Sequence, residues 1–386
     1  MYEESLKNQI NNLLNHPGIM PKQREVLIKF DKSGQKNDGL TLNSRVRQLH
    51  KLVKLARAVR KSFTAMTRED IETFLYGLDD LSPATLDQHK IAIKKFFKWL
   101  KQTDDYPDIV KWIKINNRKT KKLPENLLTP SEVRSMIDAG DNPRDRALIS
   151  VLYESACRLG EIVGLKQKDV NIDQYGAVIM VDGKTGQRRI RLIDSAPDLI
   201  LWLNNHPKKN QDMPLFCNAL FPDKAVKDKG IQDRLKIMSK RAGLTKKVHP
   251  HLLRHSRLTA LAKDFTESEL KIMAGWAGDS RMAGTYIHLS GADIEQKQLE
   301  RAGLIDKGVR QKEDNILKPK NCPRCPEVNP ATARFCNKCG AALDLWAAKE
   351  IDDKTKQIPE VFAGYLENPE FLKAFTDAVA KVSQKK

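Results

Sequence analysis

Residues 176–194 read GAVIMVDGKTGQRRIRLID. Apolar and polar side chains alternate on both sides of Asp182–Gly186, which is strand spacing around a glycine-bracketed turn. Most of the remaining chain repeats with helical spacing instead. One hairpin inside a long run of helices cannot build a sandwich, a barrel or a doubly wound sheet. It predicts a mainly α protein with a small antiparallel sheet.

The helices announce their own starts. In NSRVRQLHKLVKLARAVRK, residues 43–61, Val46, Leu49, Val53 and Ala56 form an apolar seam. A second helix opens at Ser82, a natural N-cap, with Pro83 at its first position, and runs through Ile93, Phe97 and Leu100. Thr129, Pro130 and Glu132 make a capping box with a leading proline. Two helical pieces follow, joined near Cys157–Gly160. Helical patterning returns from Asp194 to about Gly303 and includes GTYIHLSG, residues 284–291.

At 386 residues the chain is too long for one ordinary core, so two or three domains are expected. Basic, proline-punctuated residues 115–126 and charged residues 306–320 read as linkers. The tail contains PEVFAGYLENPEFLKAFTDAVAKV, an amphipathic helical pattern. No apolar run reaches membrane length, and the first residues lack the apolar centre of a signal peptide, so a cytoplasmic location is expected.

Charge narrows the partners. The 68 Lys and Arg outnumber 49 Asp and Glu, giving a formal net charge of +19. The bland reading is a solvated basic surface. Clustering favours a phosphate-rich partner: Arg45, Arg47, Lys51, Lys54, Arg57, Arg60 and Lys61 occur with no acid among residues 43–61. Lys90, Lys94, Lys95 and Lys98 follow along the second helix.

Four of six cysteines lie close together: Cys322, Cys325, Cys336 and Cys339, spaced C-x2-C-x10-C-x2-C. Each pair can turn two thiolates toward one cation, and four thiolates suit a closed tetrahedral zinc shell. A redox dithiol and chance clustering are the alternatives. A closed shell has no open position, so such a zinc is structural. Cys157 and Cys217 are isolated and expected to be buried thiols.

Other polar residues are harder to place. His251, Arg254 and His255 share one helical face after Pro250. They could form a metal site, a capping or core pair, or an anion site in which a guanidinium and imidazoles hold a phosphate. Arg158 sits among small and apolar residues, so it needs a partner; Glu161, three residues on, supplies one. That pair is either purely structural or aims Arg158 at a ligand phosphate. Lys184, in the hairpin tip DGKTG, is either solvated or functional. A P-loop is excluded, because Val178 stands where its first glycine belongs.

Together CRLGEI, GKTGQRRIRL, HPHLLRHS, GWAGDS and TYIHLSG, in this order over roughly residues 43–305, resemble the tyrosine recombinases, or phage-type integrases. The similarity is nearest to archaeal members, and a zinc ribbon after the catalytic region also looks archaeal. The resemblance implies an N-terminal helical extension (1–20), a helical SAM-like core-binding domain (21–114) and a linker (115–126). A tyrosine-recombinase catalytic domain (127–305), a linker (306–320), a four-cysteine zinc ribbon (321–345) and a helical tail (346–386) would follow.

It also implies roles. Arg158 and Arg254 would hold the scissile phosphate, supported by Glu161 and His255. His251 would bind it and handle protons. Lys184 would protonate the leaving 5′-oxygen, and Tyr286 would attack to form a 3′-phosphotyrosine. Trp276 takes the position of the family's second histidine, ten residues before Tyr286. Arg45, Arg47, Lys51, Lys54, Arg57, Lys90, Lys94 and Lys98 would contact backbone phosphates of double-stranded DNA as the two domains clamp it. A specific recombination site, a tetramer on DNA, one structural zinc and a reaction needing neither metal nor ATP are expected. Provirus or mobile-element integration and excision is the expected role, and chromosome-dimer resolution of the Xer type is the alternative. A DNA-binding regulator without catalysis, and a zinc-ribbon transcription or adaptor protein with a vestigial recombinase region, are the competing readings.

Overall fold

The computed structural model describes residues 2–115, 127–183, 186–286, 298–299, 301–304, 315–366, 368–371 and 373–376. Lys184, the segment after Tyr286 and most of both expected linkers lie outside them. The chain divides into two compact units, Met1–Thr120 and Lys121–Lys386.

The first unit is helical: α1 (Tyr2–Leu14), α2 (Pro21–Lys36), α3 (Leu42–Ala58), α4 (Arg68–Tyr76), α5 (Pro83–Lys101) and the single turn α6 (Asp108–Lys111). Ser82 caps α5 by accepting from the Thr85 amide, and Pro83 leads it. Leu27, Leu49, Leu52, Phe63, Ile71, Ile93, Phe96 and Phe97 are buried in one core. Phe30 meets Phe96 and Trp99 edge-on, with centroids 5.2 and 5.1 Å away. α1 shares this core through Ile10 and Leu14, so it is integrated rather than appended.

The second unit begins with α7 (Pro130–Asp138), opened by the expected capping box: Thr129 N–H donates to Glu132 at 2.8 Å and Glu132 N–H donates back at 3.2 Å. α8 (Pro143–Glu154) and the short α9 (Leu159–Val163) follow. The sheet has three antiparallel strands, β1 (Val170–Asp173), β2 (Gly176–Gly183) and β3 (Gly186–Leu192), in that order. The β2–β3 hairpin lies where the alternation put it, with Val181 opposite Arg188. β1 adds a strand whose four residues are too few to show a period. α10 (Ala196–Asn204), α11 (Asp228–Arg241), α12 (Pro250–Leu261) and α13 (Glu267–Ala274) complete the layer around the core, in which Val133, Leu148, Ile162, Ile179 and Leu253 are buried. Residues 283–285 form a 3-10 turn rather than an α-helix, and Tyr286 ends it.

The cysteine region packs on this unit. Arg134 of α7 donates to the Ile316 carbonyl at 3.0 Å and to the Ala331 carbonyl at 2.9 Å. A two-stranded ladder, β4 (Lys320–Asn321) with β5 (Val328–Asn329), frames the cysteines. A long helix, α14, spans Leu345–Leu366 and so starts well before the expected Pro359. Asp344 explains the early start by accepting from the Ala347 amide at 2.9 Å.

Asp198 on α10 is buried beside Ser150, whose hydroxyl donates to it at 2.8 Å. Burial raises its carboxyl to about 6, with the Ser150 hydroxyl and Arg146 opposing. The folded state therefore holds this proton more tightly than the unfolded chain, and stability falls as pH climbs from about 4 to about 6. Asp198→Asn removes that penalty. Thermal unfolding should show the variant more stable by about 1–3 kcal/mol at pH 8 and little changed at pH 4. Equal stabilisation at both pH values would contradict the assignment.

Candidate active site

Four elements converge around Tyr286. Ala156, before α9, has a left-handed backbone at φ 49°, a strained conformation for a residue with a Cβ. That twist turns its carbonyl toward the Arg254 guanidinium, which donates to it. Arg254 Nη2 also donates to the Ala274 carbonyl at 2.7 Å. Two carbonyls fix the guanidinium plane from opposite elements. Burial, then repulsion from Arg158, lowers the Arg254 pKa to about 10, so it stays cationic near neutrality.

Arg158 stands at the N-cap of α9. Its Nη1 donates to Glu161 Oε1 at 2.8 Å and its Nη2 to the Gly275 carbonyl at 3.1 Å. Its amide donates to Glu161 Oε2 at 2.8 Å. Glu161 is therefore its partner, as expected, but it serves a second arginine as well. Arg188 of β3 donates to Glu161 Oε2 at 2.7 Å and Oε1 at 3.1 Å, and reaches Cys157 Sγ at 3.6 Å. Burial alone would raise the Glu161 pKa; hydrogen bonds from Arg188 and Arg158 outweigh it and hold the carboxyl at about 2. Burial lifts the adjacent Cys157 thiol to about 11.

Arg188 escaped the reading from sequence, although a signal existed. It shares the inward parity of Ile190 and Leu192, and an inward arginine demands a buried carboxylate. The space is tight. A Cβ on Gly275, at φ 60°, would lie 2.6 Å from Arg188 Nη1, and one on Gly183 would lie 2.6 Å from Glu161 Oε1. Both glycines are needed to let the arginine reach the carboxylate.

α12 supplies the imidazoles. His249 caps it, with Nδ1 accepting from the Leu252 amide at 3.1 Å. His251 is exposed, Arg254 buried and His255 half-buried. The His251 and His255 rings meet edge-on with centroids 4.3 Å apart. The His255 and Trp276 rings both stack with Tyr286: each ring centroid lies 5.3 Å from that of Tyr286, at 27° and 23°. The ten-residue step from Trp276 thus brings the two rings into contact. Arg254 lies over the Trp276 ring at 5.7 Å. Tyr286 is buried, and its hydroxyl is 2.7 Å from His255 Nδ1. Burial raises the phenol pKa, while Arg254 and Arg158 pull it down. So Arg158, Arg254, Glu161, His251, His255, Trp276 and Tyr286 come together; Lys184 lies outside the described residues.

The candidate DNA contacts divide. Arg47, Lys54, Arg57 and Lys98 are exposed, while Lys51 and Lys90 are half-buried. Lys51 Nζ donates to the Arg47 carbonyl, and Lys90 lies 3.9 Å from Asp87. Arg45 and Lys94 depart from expectation. Arg45 is held by both oxygens of Asp31, at 2.9 and 2.5 Å. Lys94 is buried, donates to the Ile113 carbonyl at 3.0 Å and sits over the Tyr106 ring at 4.3 Å. Both charges are spent inside the first unit, by partners that local sequence spacing does not expose.

Cys322, Cys325, Cys336 and Cys339 bring their sulfurs within 4.8 Å of one another. The Cys322–Cys339 and Cys325–Cys336 separations are 3.6 and 3.7 Å. Tetrahedral zinc with Zn–S near 2.3 Å sets sulfurs about 3.8 Å apart, so the donor set and spacing fit. A zinc-holding cluster predicts about one zinc per purified chain, lowered in Cys339→Ser together with the melting temperature of the ribbon. Elemental analysis of the purified protein checks the first, and a zinc content unchanged by the substitution would contradict the assignment.

A family model described as the phage integrase family matches residues 126–292. A tyrosine recombinase of Thermosipho africanus is 30% identical over 251 residues, covering 62% of this chain and 85% of that protein. The chain belongs to the tyrosine recombinases of the phage integrase family. Tyrosine recombinase XerC of Natranaerobius thermophilus is also 30% identical, over 58% of this chain and 78% of that protein. XerC of Xanthomonas campestris pv. campestris is 28% identical over 54% of this chain, and the match spans 64% of that relative's length. Among solved structures, the Tn1549 transposon integrase in complex with transposon right-end DNA shares the fold at TM-score 0.59, with 17% identity, over 72% of this chain and 99% of that one. The XerH recombinase bound to palindromic difH substrate aligns at TM-score 0.57, with 21% identity, over 78% of this chain and 97% of that one.

Proposed function

We propose that this chain is a site-specific DNA recombinase that cleaves and rejoins strands through a 3′-phosphotyrosine on Tyr286. The observation that carries this reading is the buried Tyr286 hydroxyl in the field of Arg158 and Arg254 and in contact with His255. A phenol is a weak nucleophile near neutrality, and cations beside it favour its ionised form. The same guanidinia suit the negative charge that builds on phosphorus as five oxygens crowd it. His251, exposed beside them, would bind a phosphate oxygen, and the Trp276 N–H would donate to another. Lys184, which the sequence places between β2 and β3, would protonate the departing 5′-oxygen. The covalent bond preserves the phosphodiester's energy, so rejoining would need neither ATP nor a catalytic metal.

Duplex DNA carrying a specific site would be the substrate, with a tetramer of this chain as the working assembly. Arg47, Lys51, Lys54, Arg57, Lys90 and Lys98 would contact its phosphates. The ribbon would hold one structural zinc, and the protein would work in the cytoplasm; no described helix is long and apolar enough to cross a membrane. Mobile-element or provirus integration and excision is the role we favour. The archaeal kinship of GWAGDS, TYIHLSG and the ribbon belongs to this proposal. Relatives named XerC favour chromosome-dimer resolution as the second reading.

The experiment is a nicked suicide duplex incubated with the intact protein. A covalent adduct mapped to Tyr286 supports the proposal. Tight, specific DNA binding with no adduct would establish a non-catalytic DNA-binding protein instead.

A further inference from the structure

Activation of the phenol needs a proton acceptor, and the residues around Tyr286 differ sharply in their fitness for it. Arg158, Arg254 and Arg188 carry guanidinium groups, which have donors and no acceptor. The Trp276 N–H only donates. Glu161 is locked between Arg158 and Arg188 and is too weak a base at about 2. Cys157 is buried as the thiol. His251 meets the ring of His255, and the Tyr286 hydroxyl is hydrogen-bonded to His255. Among the described residues, His255 Nδ1, at 2.7 Å, is the hydrogen-bond partner of the Tyr286 oxygen.

We propose that His255, through Nδ1, takes the phenolic proton as Tyr286 Oη attacks phosphorus, and returns it when the strand is rejoined. This rests on the recombinase reading above. With the imidazole proton on Nε2, the phenol donates to Nδ1. The Oη–P bond then forms, the Oη proton passes to Nδ1 and the P–O5′ bond breaks. The 5′-oxygen collects its proton from a separate acid, assigned above to Lys184. In the return step a 5′-hydroxyl gives its proton back to the conjugate base of that acid as it attacks phosphorus, the Oη–P bond breaks and the imidazolium proton goes back to Oη. Nothing is oxidised or reduced.

Two features make the contact more than packing. The stacked rings and the position of His255 on α12, one residue after Arg254, fix the acceptor relative to the proposed phosphate-holding guanidinium. An imidazole also titrates near neutrality, close to the working pH, where general-base catalysis is most effective. The titratable and charged groups next to this pair are His251 and Arg254 on α12 and Arg158 at the N-cap of α9; Glu161 and Cys157 act on Arg254 in turn, and Arg188 of β3 is bonded to Glu161.

The test uses the intact protein, His255→Asn and His255→Ala on the nicked duplex that gives the adduct. A second duplex carries a 5′-bridging sulfur at the cleavage point, whose thiolate leaves without an acid. Asparagine can still accept a hydrogen bond from the phenol but cannot take its proton. Both variants should cleave both duplexes about 10²–10³-fold more slowly at pH 7. The deficit should shrink as pH rises and the phenol ionises unaided, while the unaltered protein levels off above the imidazole range. Added imidazole should partly restore His255→Ala.

The assignment is overturned by rates within about threefold of the unaltered protein, or by faster cleavage, which would mean the contact restrains the nucleophile. It is equally overturned by a deficit constant across pH, or by one confined to the oxygen-bridged duplex. Failure of the unaltered protein to form any adduct removes the recombinase reading and this one together.

Discussion

Tyr286→Phe is expected to abolish the covalent protein–DNA adduct while leaving DNA affinity within about threefold. The substitution removes one oxygen and keeps the ring, which stacks with His255 and with Trp276. The lost hydrogen bond is worth about 1 kcal/mol, so the fold survives. Deleting a nucleophile removes the covalent route rather than slowing it, and the expected fall in cleavage is at least about 10⁴-fold. Adduct formation on the nicked duplex, with a gel-shift measurement in parallel, reads both quantities. Adduct persisting at more than trace levels would assign the nucleophile elsewhere.

Glu161→Gln should produce the next largest effect, on stability and cleavage together. The carboxylate accepts from Arg158 and Arg188 and is nearly enclosed. Glutamine keeps the shape but presents an N–H toward one guanidinium and cancels the compensating charge. The folded pKa of about 2, against an ordinary 4.5, corresponds to about 3 kcal/mol. The sign follows from the lowered pKa. The stabilisation is complete above pH 4.5 and is lost as pH falls toward about 2. The unaltered protein should therefore lose stability over that interval, and the variant should lose less. Cleavage should fall about 10²-fold, because Arg158 loses the group that orients it. Denaturant titrations at pH 7 and pH 3 with single-turnover cleavage check both; a variant as stable as the parent at pH 7 would refute the claim.

Local features carried much of the fold. Thr129 and Ser82 signal their helix starts because caps act over three residues, and the β2–β3 hairpin shows its alternation over enough residues to be seen. β1 is too short to display a period, and the start of α14 depends on one aspartate cap. Charge was less legible. Arg45 and Lys94 look like neighbouring cations in the chain, and only folding brings Asp31 and the Ile113 carbonyl to them. In the candidate site, the Arg158–Glu161 pairing is readable from helical spacing. The sharing of Glu161 with Arg188, and the contact of Tyr286 with His255, join residues 27 and 31 positions apart and require the tertiary structure.

Arg188 anchors β3 to Glu161 four residues beyond Lys184. A peptide of that length spans at most about 14 Å when fully extended. The Arg188–Glu161 pair holds the strand that follows Lys184 in the chain against the carboxylate that orients Arg158. Adding a residue at the tip lengthens the leash and spares its post; replacing Arg188 pulls out the post itself. In this hairpin the proposed proton donor and the carboxylate that steadies Arg158 are joined through one short stretch of strand, so loosening Arg188 disturbs both.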